Sequence, residues 1–351
     1  GVAQHHDAVS GTEKQHVAYD YAKRLAIGAQ QCKMVINSAL NTFNLQQRYI
    51  QYTFCDYLNI SICPASEVNQ PFTITVYNPV ARSIDTNIRI PVSNMSVKVF
   101  GPNGIEVPCA VLRVTKATKR VRGKRGKAPY ELVFPASDLP PLGFALFHVK
   151  FSPDVPKMSG YKIRSHKLGK RGYSVGIHNK SNFATERLTP NSYYSIENRY
   201  LRLTFSTYSG RLVEVENLKS KIKLPVDQQF YWYQAGGSGA YIFDPASNKS
   251  NVVSAGNTAN ISFFQSDVLQ EVHQVFSGWV SQTVRLYSNK PYAEFEYTVG
   301  PIKIGPSPLI GKEVISRFDT SLKTNGIFYT DANGREMQLR KRNYRPTWTY
   351  Q

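Results

Sequence analysis

Hydrophobic positions along the 351-residue chain follow two different periods, one before and one after about residue 70. Between residues 10 and 45 they recur at steps of three and four, which is typical of one face of an α-helix. Val17, Tyr21, Leu25 and Ala26 form one apolar stripe, and Met34, Val35, Ala39 and Leu40 continue it in a second helical stretch. Ser10 and Glu13 have the spacing of a capping box, which predicts that a helix begins there. Gly28 either separates two helices or is tolerated within one.

After about residue 70 the apolar residues alternate with polar ones, which indicates β-strands with one buried face. "FTITVYNP" places Phe72, Ile74 and Val76 on one face, and "SVKVFGPNGIEV" predicts two short strands around a Pro-Asn-Gly turn. The pattern continues in "GFALFHVKF", "YLRLTFSTYSGRLVEVEN", "WVSQTVRLY" and "AEFEYTVG". The chain is therefore predicted to be mixed and mainly β, with an N-terminal helical hairpin or bundle segment followed by β-sandwich domains.

We expect three parts in this chain. Residues 1–68 hold the helical segment, 69–155 a first β-sandwich domain, and 156–351 a second, larger β domain that is incomplete at its C-terminal end. With 41% hydrophobic residues, 22 Tyr and 18 Phe, the composition excludes a disordered protein. No apolar run approaches the roughly 20 residues that a membrane span needs, so no span is expected. The chain opens on Gly1 without an initiator Met, which suggests a removed leader or a longer precursor that was cut.

The formal net charge of +19 is concentrated in two stretches, "KATKRVRGKRGK" at 116–127 and "YKIRSHKLGKRGY" at 161–173. Glycines and the scarcity of large apolar residues predict solvated, exposed loops for both. A polyanion site is the alternative, because clustered Lys and Arg release counterions when they bind a polyanion. No nucleic-acid-binding motif accompanies them, and no nucleic-acid partner is expected.

The chain has four cysteines and five N-x-S/T sequons. Cys55 and Cys63 bracket "CDYLNISIC", a short segment that a disulfide could close. The predicted glycosylation sites are Asn59, Asn94, Asn179, Asn248 and Asn260. Together, the sequons and a local disulfide favour passage through the secretory pathway.

The stretch "QHHDAVSGTEKQH" at 4–16 holds the residue types of a metal site. Zinc sites are built from His, Cys and carboxylates. Adjacent residues usually point in different directions, so we expect only one or two of His5, His6 and Asp7 to reach one ion. The alternative is an ordinary polar helix N-terminus. Among the 24 acidic residues, no pair stands out as the two carboxylates of a glycosidase.

The segment that surrounds this cluster, "AQHHDAVSGTEKQHVAYDYAKRLAIG", resembles that of class II α-mannosidases, most of all those of the lysosomal type. The resemblance continues in the family's order through "LNISICPASE", "VYNP", "GAYIF", "QEVHQ", "GKEVISRFDT", "FYTDANGRE" and "YRPTW". It therefore covers nearly the whole chain. The basic stretches 116–127 and 161–173 match less well.

This resemblance implies part of a zinc-dependent retaining glycoside hydrolase, which removes terminal α-linked mannose from N-glycan-type oligosaccharides in the lysosome or after secretion. It implies that His6 is a zinc ligand and that Asp7 and Tyr241 contact sugar hydroxyls, while His5 orients its neighbours. The nucleophile and the acid/base aspartate would lie on an upstream α/β domain, so we expect no catalytic residue in this chain. Partners would be that upstream chain, a C-terminal β segment and, in a possible homodimer, a second copy.

The resemblance also implies how the cysteines pair. Cys55 and Cys63 match a family disulfide, and Cys32 would bond to the upstream chain. Cys109 has no family counterpart and is expected to be a free, largely buried thiol; the alternative is a Cys32–Cys109 bridge. The alternative function is a noncatalytic β-sandwich module that binds carbohydrate or a polyanion.

Overall fold

The computed structural model describes residues 1–43, 48–151, 162–167, 173–178, 192–237, 242–254, 257–303, 305 and 310–347. The helices are α1 (Gln15–Thr42) and α2 (Lys116–Arg122), with short 3₁₀ turns at Val2–Gln4, Leu58–Ile60 and Gly123–Arg125. The strands are β1 (Phe72–Tyr77), β2 (Ile84–Val92), β3 (Val97–Phe100), β4 (Glu106–Val107), β5 (Ala110–Arg113), β6 (Tyr130–Leu139), β7 (Phe144–Phe151), β8 (Lys162–Lys167), β9 (Tyr173–His178), β10 (Tyr193–Glu197), β11 (Leu201–Ser206), β12 (Leu212–Asn217), β13 (Ile222–Gln234), β14 (Asn251–Val252), β15 (Asn260–Gln265), β16 (Leu269–Val275), β17 (Val280–Tyr287), β18 (Ala293–Val299), β19 (Lys312–Thr320), β20 (Ile327–Asp331) and β21 (Met337–Lys341). The mainly β class is confirmed.

Helix α1 is one continuous helix that begins at Gln15, so the predicted start at Ser10 is wrong and Gly28 is tolerated. The capping box does not form. The Ser10 hydroxyl is used in the preceding turn, where it donates to the backbone carbonyl of His6. Gly11 has a φ of 70°, a left-handed conformation that interrupts a helical backbone between Ser10 and Glu13. Among the described residues before β1, α1 is the only α-helix, so the predicted hairpin is a single helix there.

Side-chain amides hold α1 to the extended segment 48–56. Asn37, the one buried residue of the helix, donates to the Tyr49 hydroxyl at 2.6 Å and accepts from the backbone N–H of Tyr52 at 2.9 Å. Asn41 bonds both backbone groups of Ile50: its side chain accepts from the N–H at 2.7 Å and donates to the carbonyl at 2.8 Å. The apolar stripe takes little part in this contact, and Val35 remains 70% exposed.

The first β-sandwich packs the sheet β1-β7-β3-β4 against the sheet β2-β6-β5. Apolar and polar residues alternate along the strands, so the apolar face of each sheet packs into a common core. Its fully buried members include Val92, Val99, Leu132, Phe134 and Val149. The predicted Cys55–Cys63 disulfide is formed, with Cα atoms 4.9 Å apart, and the buried Cys63 belongs to the same core. The disulfide therefore ties the segment after α1 to this sandwich.

The second β region is built from two larger antiparallel sheets. One has the order β10-β11-β12-β13-β14, with β19 also paired to β13, and the other the order β18-β17-β16-β15-β8-β9. Their shared core includes Ile196, Leu203, Phe205, Leu212 and Val272. The hairpin β20–β21 forms a separate two-stranded sheet. The division of the chain at residues 68 and 155 stays a prediction.

Both basic stretches contain regular structure, so the prediction that they are loops is wrong. Residues 116–127 form α2 and a 3₁₀ turn, because Thr115 caps the helix by accepting from the backbone N–H of Thr118 at 3.0 Å. Residues 162–167 form β8, which pairs with β9 and with β15. The backbone of β8 thus finds its hydrogen-bond partners in the neighbouring strands. The glycines at 169 and 172 lie outside the described residues.

An ionic network that is only partly buried joins the two β regions. Arg89 on β2 contacts Glu131 at 2.8 Å and Glu296 on β18 at 2.7 Å. Arg285 on β17 contacts Glu271 on β16 at 2.5 Å, and both side chains are almost fully buried. Burial alone would raise the pKa of Glu271. The charge of Arg285 and a hydrogen bond from His273 outweigh it, so that the pKa lies well below its usual range.

Apolar side chains surround this network. Ala110, Leu112 and Val133 of the first sandwich share one buried cluster with Leu269 and Tyr287 of the second region. Burial raises the pKa of Tyr287 to about 12. None of the helices in the described part of the chain is long and apolar enough to cross a membrane.

Candidate functional site

The His-His-Asp cluster lies in a compact turn between the first 3₁₀ turn and α1. The carbonyl of His5 accepts from the N–H of Val9 at 3.0 Å. The carbonyl of Asp7 accepts from the N–H groups of Gly11 and Thr12 at 2.8 and 3.1 Å. These bonds wind the backbone into successive tight turns rather than an extended segment, which places neighbouring side chains on the same side.

Three potential ligand atoms converge in this turn. His5 Nε2 lies 3.4 Å from Asp7 Oδ2, and the His5 and His6 rings have centroids 4.1 Å apart. One ligand atom from each of His5, His6 and Asp7 lies within 4.8 Å of the others. The turn brings all three side chains together, and the number of them that bind one ion stays a prediction.

The donor set matches part of a zinc site. Zinc bonds His nitrogen at about 2.0–2.1 Å in a tetrahedral arrangement, which sets neighbouring ligand atoms about 3.3–3.4 Å apart. The separation of 3.4 Å between His5 Nε2 and Asp7 Oδ2 has this value, and the third ligand atom lies within 4.8 Å of the other two. Both histidines are exposed, so further ligands from outside the turn have access.

Thr12 orients Asp7, a role that the sequence analysis missed. Its hydroxyl donates to Asp7 Oδ1 at 3.1 Å, which leaves Oδ2 directed toward His5. Ser10 lies 3.0 Å from the Thr12 hydroxyl and completes a small hydroxyl network. The threonine five positions after Asp7 was the available signal, but only the observed backbone turns bring its hydroxyl to the carboxylate.

Tyr241 lies outside the described residues, so the prediction that it faces the same cavity as Asp7 stays a prediction. The structure does show the base of its loop. Gly236 donates to the Asp244 carbonyl at 3.0 Å, and Ala246 donates to the Gln234 carbonyl at 3.0 Å. A Cβ at position 236 would lie 2.8–2.9 Å from backbone atoms of Ala246 and Asp244, so only glycine fits this closed base.

A groove of about 790 Å³ runs between α1 and the segment 49–56. Its lining is mostly polar and includes Lys33, Asn37, Asn41, Tyr52 and Asp56. The His-His-Asp cluster is not part of it, so the groove gives no support to the candidate metal site.

The remaining predicted sites differ in accessibility. Asn59, Asn248 and Asn260 are exposed, Asn94 is half-buried, and Asn179 lies outside the described residues. Glycosylation at the five sequons stays a prediction.

The two unpaired cysteines also differ. Cys32 is a free, exposed thiol on α1, and Cys109 is a free, half-buried one. Burial raises the pKa of Cys109 to about 11, which makes it a poor nucleophile. Within this chain neither cysteine forms a disulfide, so the alternative Cys32–Cys109 bridge is not formed. A free Cys109 and a bond from Cys32 to an upstream chain both stay predictions.

Three family models match successive parts of the chain. The alpha mannosidase middle domain matches residues 1–43, and the lysosomal alpha-mannosidase-like central domain matches 107–149. The C-terminal domain of glycosyl hydrolases family 38 matches 196–351. The order of these domains agrees with the order of α1, the first sandwich and the second β region.

The chain is similar over nearly its whole length to named α-mannosidases. It is 42% identical to the lysosomal alpha-mannosidase of Felis catus and 41% identical to that of Homo sapiens, in each case over 99% of this chain and 32% of the relative. It is 33% identical to the alpha-mannosidase of Canavalia ensiformis, over 99% of this chain and 36% of that protein. The chain belongs to glycosyl hydrolase family 38, and it spans about a third of the length of the relatives it matches.

Proposed function

We propose that this chain is part of a zinc-dependent retaining α-mannosidase that removes terminal α-linked mannose from N-glycan-type oligosaccharides. The observation that carries the proposal is the convergence of three ligand atoms at the His-His-Asp turn, in a chain of glycosyl hydrolase family 38. The relatives named lysosomal support a location in the lysosome or in the secretory pathway.

Within this proposal, the chain contributes to binding and orientation. His6 would be the zinc ligand of this chain, as the family resemblance implies, and His5, whose Nε2 lies 3.4 Å from Asp7 Oδ2, would orient that carboxylate rather than bind the ion. Asp7, with one carboxylate oxygen held by Thr12, accepts a hydrogen bond from a sugar hydroxyl, and Tyr241 contacts a second hydroxyl. Bound zinc would supply electrostatic stabilisation and a template for the sugar hydroxyls.

The groups that make and break the glycosidic bond belong, in this proposal, to the upstream part of the protein. A retaining enzyme needs one carboxylate as nucleophile and one as acid/base, about 5–5.5 Å apart. In the described residues, the turn offers one carboxylate, Asp7, which lies beside His5 rather than beside a second acid. The upstream segment would also supply the remaining zinc ligands.

The experiment compares His6→Ala with His16→Ala in the full-length enzyme. Both substitutions remove an exposed imidazole, but His16 lies on α1 outside the ligand cluster. We expect His6→Ala to lose most of its bound zinc, measured by elemental analysis, and most of its hydrolysis of an α-mannoside. His16→Ala should keep both.

Unchanged zinc content in His6→Ala would remove His6 from the metal site. Zinc binding without hydrolysis of any α-mannoside by the native enzyme would instead favour the noncatalytic carbohydrate-binding alternative. Asp7→Asn tests the sugar contact separately. An unpaired polar group in a site costs about 1–3 kcal/mol, so catalytic efficiency should fall at least several-fold with zinc retained.

A further inference from the structure

Positive charge is concentrated in one segment of the first sandwich. Residues 113–127 contain eight lysines and arginines, no acidic residue and no aromatic residue. Helix α2 and the following turn carry most of them. The zinc proposal makes no use of this surface, which we call the basic α2 surface and define as Lys116, Lys119, Lys124 and Lys127.

The arginines of this region have structural partners. Arg122 is buried and donates to the carbonyls of Ser61 at 2.9 Å and Ala128 at 2.5 Å. Arg120 donates to the carbonyl of Gly278 at 2.6 Å, across to the second β region. Arg125 donates to two carbonyls at the end of α2, where cations interact favourably with the helix dipole.

The four lysines have no such partners. All are exposed, and among the residues that the structure describes none has a carboxylate within ion-pair distance. Their mutual repulsion disfavours the compact state unless an anion neutralises it. Three of the four arginines are thus held by hydrogen bonds to backbone carbonyls, Arg113 lies over the Tyr130 ring, and the lysines have no comparable contact.

The backbone that carries these lysines is firmly held. Glu67 accepts from the N–H groups of Lys127 and Ala128 at 2.6 and 3.0 Å, which fixes the end of the segment. Gly126 is packed so closely that a Cβ there would lie 2.8 Å from the Arg122 side chain and 2.9 Å from Ile62. The surface is therefore preorganised, which lowers the entropic cost of binding.

We propose that the basic α2 surface binds a linear sulfated polysaccharide. Sulfate groups are permanent anions and accept hydrogen bonds from lysine ammonium groups without a fixed bidentate geometry. Single-stranded nucleic acid would use stacking aromatics, which residues 113–127 lack. A helix that lies in a membrane interface pairs its cationic face with a face of large apolar side chains, and Val121 is the one exposed large apolar residue of α2. The nearby Cys55–Cys63 disulfide favours an oxidising compartment, where sulfated polysaccharides are the abundant polyanions. This inference does not depend on α-mannoside hydrolysis.

The test uses the full-length enzyme and a size-defined heparin oligosaccharide. One variant changes Lys116, Lys119, Lys124 and Lys127 to Gln. The matched control changes Lys219, Lys249, Lys323 and Lys341 to Gln; these lysines are exposed elsewhere and their loss lowers the net charge equally. Affinity is measured as a function of salt, with unsulfated hyaluronan, duplex DNA and phosphatidylserine vesicles as competing probes. Thermal unfolding confirms that both variants are folded.

We expect the native enzyme to bind heparin at about 0.15 M salt. The α2 variant should lose at least about tenfold in affinity. The slope of log affinity against log salt concentration should become shallower by about three, because each of the four lysine contacts normally releases roughly 0.7–0.9 counterions. The control should change less than about threefold. Absence of heparin binding, equal losses in the two variants, or tighter binding to DNA, vesicles or hyaluronan would each overturn the proposal.

Discussion

The N-terminal segment and the first β-sandwich use hydrophobic residues in opposite ways. In the sandwich, Leu132 and Phe134 are fully buried in a core assembled within the chain. In α1, Leu25 is 60% exposed and the only buried residue is Asn37. Both regions have a clear apolar period, but only the β period matches a partner surface in the described residues. A hydrophobic pattern therefore predicts an element, and burial depends on what lies opposite it.

The same contrast applies to charged groups. Arg285 and Glu271 lie at the junction of the two β regions, almost without solvent contact. Arg24 and Asp20 form an i,i+4 pair on α1 at 2.6 Å, with both side chains exposed. A buried ion pair is costly to break because it leaves an uncompensated charge, whereas an exposed pair is screened by water.

The largest expected effect is that of Arg285→Met. Removal of the cation leaves Glu271 buried and charged, which should lower the free energy of unfolding by about 3–5 kcal/mol in urea denaturation at pH 7. Arg24→Met is the matched control on α1 and should have little effect. Equal effects from the two variants would contradict the contrast between the regions.

The pH dependence of this effect has a definite sign. In the native chain the pKa of Glu271 is lowered below its unfolded value of about 4.3, so its stabilising contribution is present above that pH and is lost as pH falls toward the folded pKa. In Arg285→Met the charge that lowers the pKa of Glu271 is gone, while burial still raises it. The pKa of Glu271 therefore rises and the carboxyl protonates more readily. The difference in unfolding free energy between native and variant should therefore be smaller at pH 4 than at pH 7.

Leu132→Ala and Leu25→Ala compare the same truncation in the two regions. The buried site should lose about 2–5 kcal/mol, because a cavity adds to the lost transfer free energy. The exposed site should change by less than about 0.5 kcal/mol in this chain. Denaturation of both variants in the full-length protein sharpens the comparison, since a larger cost of Leu25→Ala there would show that another segment covers α1.

The joint replacement of Cys55 and Cys63 by serine should have a smaller effect than the core changes. The disulfide closes a short loop, and its loss should destabilise by about 2–3 kcal/mol on the chain-entropy estimate. Native and variant chains are compared by urea denaturation. An unchanged midpoint would mean that the core around Cys63 alone fixes the segment between α1 and the first sandwich.

The sequence predicted β-strands well where the alternation was regular. "FTITVYNP" and "SVKVFGPNGIEV" correspond to β1 and to the hairpin β3–β4, and the Cys55–Cys63 pair forms as expected. It failed where local hydrogen bonds compete with a pattern. Ser10 and Glu13 had capping spacing, but Gly11 has a left-handed φ between them and the Ser10 hydroxyl donates to the His6 carbonyl instead.

The candidate site was only partly predictable for a similar reason. Residue types identified His5, His6 and Asp7, but the convergence of their side chains depends on successive backbone turns that no periodicity describes. The role of Thr12 follows from the same turns. The ionic network that joins Arg89 to Glu296 connects strands 207 positions apart, a separation at which pairing cannot be read from one sequence.

The most direct test of the central claim is anomalous diffraction at the zinc edge from crystals of the full-length enzyme. The account predicts one strong anomalous peak at the His-His-Asp turn, about 2.0–2.1 Å from a ring nitrogen of His6. A peak bound wholly by other residues, with His6 directed away from it, would contradict the account.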